Sequence, residues 1–220
     1  MYQQLRRDEA LPFVPSDPLM SRYERFGKRM LDLVLVLCLS PLAICLVFLI
    51  VLPLLPWGRP FYCHQRIGRD RVPFGCWKVR TMVRGAETVL PKVLASDPAL
   101  RAEWNETRKL TRDPRVTFYG RLLRASRLDE LPQLWNVLVG DMSLVGPRPV
   151  TAEEARAFGP DHRLVLRVRP GITGAWQVRS RSDCSLRKRL EFDLDYVGNA
   201  TILRDLGILL LTLTAVGRGR

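Results

Sequence analysis

From Leu33 to Gly58 the chain carries no charged residue, a run of about 25 positions and long enough for a membrane helix. Nothing else in the sequence limits the fold as much. A single segment placed in lipid must satisfy its own backbone hydrogen bonds, and only a helix does so. A cleavable signal peptide fits poorly, because the lead-in is long, contains Pro12, Pro15 and Pro18, and is followed by no small-x-small site. Cations flank the run on both sides: Arg22, Arg25, Lys28 and Arg29 before it, Arg59, Arg66, Arg69 and Arg71 after it. A helix that crosses the bilayer should leave one flank depleted in them. Ser40-Pro41 sits inside the run, where proline removes a backbone donor and kinks or breaks a helix. The arm from Met30 to Ser40 would reach about 15 Å at 1.5 Å per residue, roughly half of a hydrocarbon core. A re-entrant helix that enters one leaflet, breaks at Ser40-Pro41 and returns accounts for the proline and for both basic flanks. The carbonyls it frees need partners, and the Ser40 hydroxyl is one candidate. A kinked but spanning helix is the alternative.

The 220 residues suffice for one compact domain beside that segment. A formal net charge of +13 implies anionic partners, whether nucleic acid, anionic head groups or phosphorylated substrates. The five cysteines contain no CxxC pair and suit a reducing compartment better than a disulfide framework. Cys63, His64 and Cys76 have a spacing that fits zinc poorly. Residues 1–20 read as a loose tail, 21–58 as a basic interfacial segment and membrane helix, and 59–220 as a globular domain. Within the last, Phe61–Arg80 leans to strand, and Ala86–Lys109 is helical in composition but interrupted by Pro91 and Asp97-Pro98. Leu131–Val139 is an apolar helix ended by Gly140, Ala152–Phe158 a short helix, and Ile202–Val216 too short to span, hence a core or lipid-surface helix. The fold class is mixed α/β, mostly helical, with interfacial amphipathic helices.

The densest chemistry lies between Asp113 and Pro149. There Asp129-Glu130 is preceded by Arg124 and Arg127 and followed by Asp141 and Arg148. Neighbouring carboxylates on a helix point about 100° apart, so they can take different parts at one site. One can attack as a nucleophile through an aspartyl-phosphate. The other can hold Mg2+ or accept a proton. The plainer reading is a capping box, Ser126-x-x-Asp129, in which the acids only favour a positive helix end. Pro132 weakens it, since a helix begun at Ser126 would carry proline in its second turn. A start nearer Leu128 suits Pro132 and leaves both acids at the end to which a phosphate is drawn.

The run RxxSRLDELPQLWNVLVGDMSLVGPRP, together with KRMLDLVLVLCLSPLA, WKVRTM and RPGITGAWQV followed by RSD, resembles the bacterial sugar transferases, the monotopic polyprenyl-phosphate phosphoglycosyl transferases. The resemblance covers nearly everything from Lys28 onward. It implies transfer of a sugar-1-phosphate from a nucleotide-sugar, UDP-linked by preference, to undecaprenyl phosphate, with Mg2+ as cofactor. It makes Asp129 the nucleophile and Glu130 its partner, with Asp129 and Glu130 also the metal ligands. Lys78, Arg124 and Arg148 match phosphate-binding cations. Arg169, Gly171 and Thr173 match a loop near the nucleotide-sugar, and Ser40-Pro41 the break of a re-entrant helix. The family places such an enzyme on the cytoplasmic face of the bacterial inner membrane, in contact with phospholipid, and a chain of this size as a catalytic core alone. Ala175 and Arg179 depart from the family pattern and bear on donor identity. Asp193, Asp195 and Tyr196 are given no role, and a homo-oligomer stays open.

Other features read plainly. Arg59–Arg71 is expected to face head groups, Trp57 to anchor at the interface, and Trp104, Trp135 and Trp176 to pack. Arg187, Lys188 and Arg189 are expected to be solvated or against lipid. A tethered nucleic-acid binder or a scaffold is the rival reading. The cations are dispersed around the apolar run and no nucleic-acid motif is present, so nucleic acid is not an expected partner.

Overall fold

The computed structural model describes residues 23–107, 110–158, 162–179 and 186–217. The expected tail and the RSD stretch at 181–183 lie outside the described residues. The apolar run forms one helix, α1 (Lys28–Val51), entered through a π turn (Tyr23–Gly27) and left through a 3-10 turn (Leu52–Trp57). It stays helical through Ser40-Pro41, so a change of direction there is a bend within the helix and not an interruption of it. The reason is local. Pro41 cannot donate to the carbonyl of Leu37 four residues back, and the Ser40 hydroxyl donates to that oxygen instead, at 2.9 Å.

Only one stripe of α1 is covered: Asp32, Val36, Ala43 and Ile50 are buried, at spacings that return to one helix face. Val34, Leu37, Ile44 and Phe48 stay exposed, an apolar face of a kind that soluble monomers seldom show. The segment Tyr23–Trp57 is the one helix among the described residues long and apolar enough to cross a membrane.

The rest is mixed α/β and mostly helical, as expected. A hairpin of β1 (Phe61–Ile67) and β2 (Pro73–Val79) pairs antiparallel, Lys78 lying opposite Tyr62. Helices α2 (Ala86–Ser96) and α3 (Pro98–Thr107) follow, divided at the Asp97-Pro98 junction read from the sequence. Next come α4 (Phe118–Ala125), a 3-10 turn (Leu128–Glu130), α5 (Gln133–Val139) and β3 (Ser143–Val145). Gly140 ends α5 at φ 94, a left-handed position that glycine adopts without strain. Helix α6 (Ala152–Ala157) opens with a capping box between Thr151 and Glu154. Then come α7 (His162–Val165), β4 (Gly171–Thr173), α8 (Ala175–Arg179), α9 (Leu186–Gly198) and α10 (Ile202–Gly217). Strand β4 pairs parallel with β3, so closely that a Cβ on Gly171 would collide with the Gly146 backbone.

Two apolar cores lie along α1. Val36 joins Phe74, Val137, Met142, Leu144 and Tyr196 in one, and Ile50 joins Leu54, Val79 and Leu123 in the other. Polar ties repeat the attachment at both ends. Near the start, Arg29 donates to the carbonyls of Val137 and Leu138 at 2.5 and 2.8 Å, supplying a cation to the last turn of α5. Asp32 accepts from the Ser143 hydroxyl at 3.0 Å and the Leu144 amide at 2.9 Å. At the far end, the Tyr119 hydroxyl donates to the Ile50 carbonyl at 3.1 Å. Both ends of the apolar helix are therefore fastened to the same body.

Candidate active site

Two residues in the left-handed region and beside it shape the centre of the site. Arg127, at φ 56, turns the chain sharply between α4 and the 3-10 turn that carries Asp129 and Glu130. Pro132 then precedes α5, where its missing donor costs nothing. The capping box is not formed: the Ser126 hydroxyl donates backwards to the carbonyls of Leu122 and Leu123. The acids sit in a separate turn just before α5, close to the start that Pro132 favours.

The two carboxylates differ in their surroundings. Glu130 accepts from the Lys78 ammonium at 2.7 Å. Burial works to raise its pKa, but Lys78, then Arg148 and Arg127, outweigh that and hold it below the usual glutamate range. Asp129, only 8 % exposed, makes no ion pair among the described residues. Burial and then the neighbouring Glu130 charge raise its pKa, with Lys78 and Arg124 offsetting part of the effect. Environments that push two adjacent acids apart are a mark of divided chemical labour. A direct carboxyl titration in metal-free buffer should find Asp129 ionising above the ordinary aspartate value. Glu130→Gln, which removes the like charge, should shift that ionisation downward; an unmoved titration would refute the coupling.

A cleft beside the dyad is lined by Arg66, Lys78, Glu130, Arg148, Gly171 and Gln177, among others. Four residues read from the sequence thus meet there: Lys78, Glu130, Arg148 and Gly171. Arg124 stands by Asp129, its Nε donating to the Thr81 hydroxyl at 2.8 Å. Arg169 and Thr173 do not line the cleft. Arg169 Nε donates to the Gly140 carbonyl at 2.7 Å, and the Thr173 hydroxyl meets that of Thr212 at 2.7 Å, tying β4 to α10. Ala175 is buried in the main core.

Other residues were missed or misplaced. Arg66, assigned to a head-group surface, lines the cleft and pairs with Glu154 at 3.2 Å. Asn136 donates to the Gly75 carbonyl at 2.7 Å and accepts from the Trp77 amide at 3.1 Å, which clamps β2, and with it Lys78, against α5. Polar Gln133 and Asn136 within an otherwise apolar helix were the available signal. Trp135 is exposed rather than packed. Arg189 is buried, unlike Arg187 and Lys188, and its guanidinium lies 5.3 Å from the ring centres of both Phe158 and Trp176.

Asp129 and Glu130 are adjacent oxygen donors, and no group of three His, Cys, Asp or Glu side chains is gathered among the described residues. A set of two carboxylates fits Mg2+, which completes its shell with water and substrate phosphate.

A family model described as bacterial sugar transferase matches residues 23–219. The chain is 45% identical over 202 residues to the UDP-galactose-lipid carrier transferase of Erwinia amylovora, covering 91% of this chain and 42% of that protein. It is 44% identical over 204 residues to the undecaprenyl-phosphate galactose phosphotransferase of Salmonella typhimurium, covering 91% and 42%. It is also 45% identical over 193 residues to the exopolysaccharide production protein ExoY of Sinorhizobium fredii, covering 86% and 85%. The chain thus spans less than half the length of the first two.

Proposed function

Because this chain belongs to the bacterial sugar transferase family, we propose that it transfers a sugar-1-phosphate from a UDP-sugar to undecaprenyl phosphate in polysaccharide assembly. The observation that carries the reading is the unequal dyad: Glu130 neutralised by Lys78, and Asp129 buried beside it with its pKa raised. In the first step a carboxylate oxygen of Asp129 bonds to the sugar-bearing phosphorus, and the bond from that phosphorus to the bridging oxygen breaks, releasing UMP. In the second, a phosphate oxygen of undecaprenyl phosphate bonds to the same phosphorus. The acyl-phosphate bond breaks, and Asp129 leaves as the carboxylate. Splitting the transfer avoids holding two anionic substrates together.

Both substrates repel an anionic nucleophile, and Lys78, Arg124, Arg148 and Arg66 supply the opposing field. Asp129 and Glu130 would hold Mg2+, which when bound offsets phosphate charge. Glu130, kept ionised by Lys78, in turn holds that ammonium beside the site.

Attachment of α1 at both ends to one body supports a helix that bends at Ser40-Pro41 inside one leaflet and returns its ends to the cytoplasmic face. A straight, spanning helix of 24 residues would carry Ile50 roughly 30 Å from its start. That would pull β2 and α4, which bear Lys78 and Arg124, across the bilayer. The exposed apolar side chains Leu203, Leu210 and Leu213 on α10 and Phe118 and Leu122 on α4 suit contact with phospholipid at that face. A nucleic-acid or scaffold role has no support, since the similar proteins are a lipid carrier transferase, a phosphotransferase and an exopolysaccharide production protein.

A donor panel tests the activity. Purified protein with undecaprenyl phosphate, Mg2+ and UDP-glucose, UDP-galactose or UDP-N-acetylglucosamine should release UMP from at least one donor and yield a lipid-linked sugar diphosphate. Silence with every UDP-sugar would sink the proposal.

A further inference from the structure

Where the apolar segment leaves the lipid, three cations gather without an acid. Arg59, Arg80 and Arg84 make no ion pair among the described residues. One turn brings them together. Gly58 reverses the chain at φ 95, a conformation that glycine adopts without strain, and Arg59 follows it. The Arg80 amide donates to the Pro60 carbonyl at 2.7 Å, and its guanidinium to the Trp57 carbonyl at 2.9 Å. The Arg84 guanidinium lies so close to Gly58 that a Cβ there would meet its Nη2 at 2.1 Å. The acid of the neighbouring turn, Glu87, is engaged with the Tyr62 hydroxyl.

Beside these cations runs an apolar groove of about 510 Å³, lined by Arg59, Pro60, Phe61, Tyr62, Cys63 and Trp77. Cys63 and Trp77 are register partners, and Phe61 lies two residues before Cys63, so the three share one face of the β1–β2 hairpin. Cys76 and Lys78 share the other face and line the cleft of the dyad. The groove is continuous with the end of the membrane segment, where Leu52, Leu55 and Trp57 are exposed. An aliphatic wall that ends in aromatic rings and then in guanidinium groups follows the order in which a lipid presents its chain and its phosphate.

Three observations choose the occupant. The groove's wall is mostly apolar, which suits a hydrocarbon chain and leaves the hydroxyls of a nucleotide-sugar unmatched. Its position across the hairpin from Lys78 would keep the phosphate of a polyprenyl acceptor away from Asp129. A zwitterionic head group would bring a second cation to three unpaired ones, whereas an anionic head group brings none. We propose that the groove, with Arg59, Arg80 and Arg84, is a binding site for an anionic phospholipid, one acyl chain lying against Phe61, Cys63 and Trp77 and the phosphate held by the guanidinium groups. The site fastens the exit of α1 to the head-group layer, and it requires the segment to be in lipid but not the transferase activity.

Native mass spectrometry of the full chain in neutral detergent, titrated with dioleoyl phosphatidylglycerol or phosphatidylcholine, tests the site. The parent should retain one phosphatidylglycerol with a Kd about tenfold below that for phosphatidylcholine, as expected when cations face an anionic head group. Arg59→Gln combined with Arg84→Gln should bring the two lipids level, with Arg80 kept because it holds the turn. Trp77→Ala should weaken both lipids alike, since it removes part of the chain's wall and no charge. Thermal midpoint and near-ultraviolet circular dichroism confirm that each variant is folded. Phosphatidylglycerol brominated along one acyl chain should quench tryptophan emission in the parent and quench it less in Trp77→Phe. Equal affinity of the parent for the two lipids overturns the proposal, as does an unchanged preference in the folded double variant. Displacement of the bound phospholipid by equimolar undecaprenyl phosphate would give the groove to the acceptor and overturn it too. Because none of these measurements needs turnover, a chain silent with every UDP-sugar would still report on the site.

Discussion

Asp129→Asn should abolish UMP release with every donor while leaving the folded protein as stable as the parent at neutral pH, or more so. The loss in kcat should reach at least about a thousandfold, since removing a covalent nucleophile stops the route rather than slowing it. The stability half follows from the direction of the pKa shift. The folded-state pKa of Asp129 is raised, so its ionised form is less favourable folded than unfolded, and that cost is present at neutral pH. It fades as the pH falls through the raised value and vanishes below the unfolded one, where both states hold the proton. Asparagine keeps the shape and removes the charge. Incubation with radiolabelled donor in the absence of acceptor should label the parent at position 129 and leave the variant unlabelled. Turnover by a variant shown by mass spectrometry to be free of deamidation would end the nucleophile assignment. A thermal midpoint well below the parent's would show that the buried charge stabilises the fold.

The largest effect on stability should come from Asp205. Its Oδ2 accepts from Lys28 Nζ and the Tyr23 hydroxyl, each at 2.5 Å, and its Oδ1 from the Tyr196 hydroxyl at 2.7 Å. Lys28 Nζ also donates to Tyr196 at 2.9 Å. This network fastens the entry of α1 to the start of α10, and Asp205 is 1% exposed. Asp205→Ala leaves an ammonium and two hydroxyls without their acceptor, at a cost of about 3–5 kcal/mol. That lowers the thermal midpoint by on the order of 10 °C for a chain of this size. Removing both charges, as in Lys28→Met with Asp205→Leu, should recover more than half of the loss, because an apolar pair of similar volume strands no charge. Tryptophan fluorescence melts in detergent at a fixed scan rate measure both. A single variant that melts with the parent would show the network to be dispensable.

The legible parts of this protein were those whose physics is local. Pro132 and the acids before it constrained one another within a few residues, and the position of the dyad followed. The uncharged run, the Asp97-Pro98 division and the Gly140 stop were equally local. Side-chain direction was not. RPGIT was visible as a segment, yet Arg169 turns to the Gly140 carbonyl and Thr173 to Thr212, partners set by the β3–β4 pairing. Arg189 looked like one member of a solvated basic triplet. Only the packing of α9 against Phe158 and Trp176 separates it from Arg187 and Lys188, and those rings lie in distant parts of the chain. At Pro41 the chain stays helical, and the Leu37 carbonyl that proline leaves without a donor takes the Ser40 hydroxyl, the partner the sequence had offered for it.

The double fastening of α1 bears on which membranes this protein can inhabit. A helix whose two ends sit on opposite sides of a bilayer must match its thickness, and mismatch costs fractions of a kcal/mol per ångström. Arg29 near the start and Ile50 near the end are gripped by the same body, and on the proposed one-leaflet topology no dimension of the protein has to equal the distance between the two lipid surfaces. Reconstitution into short- or long-chain lipids should leave turnover nearly level, and the quantity that tunes it becomes the packing of a single leaflet.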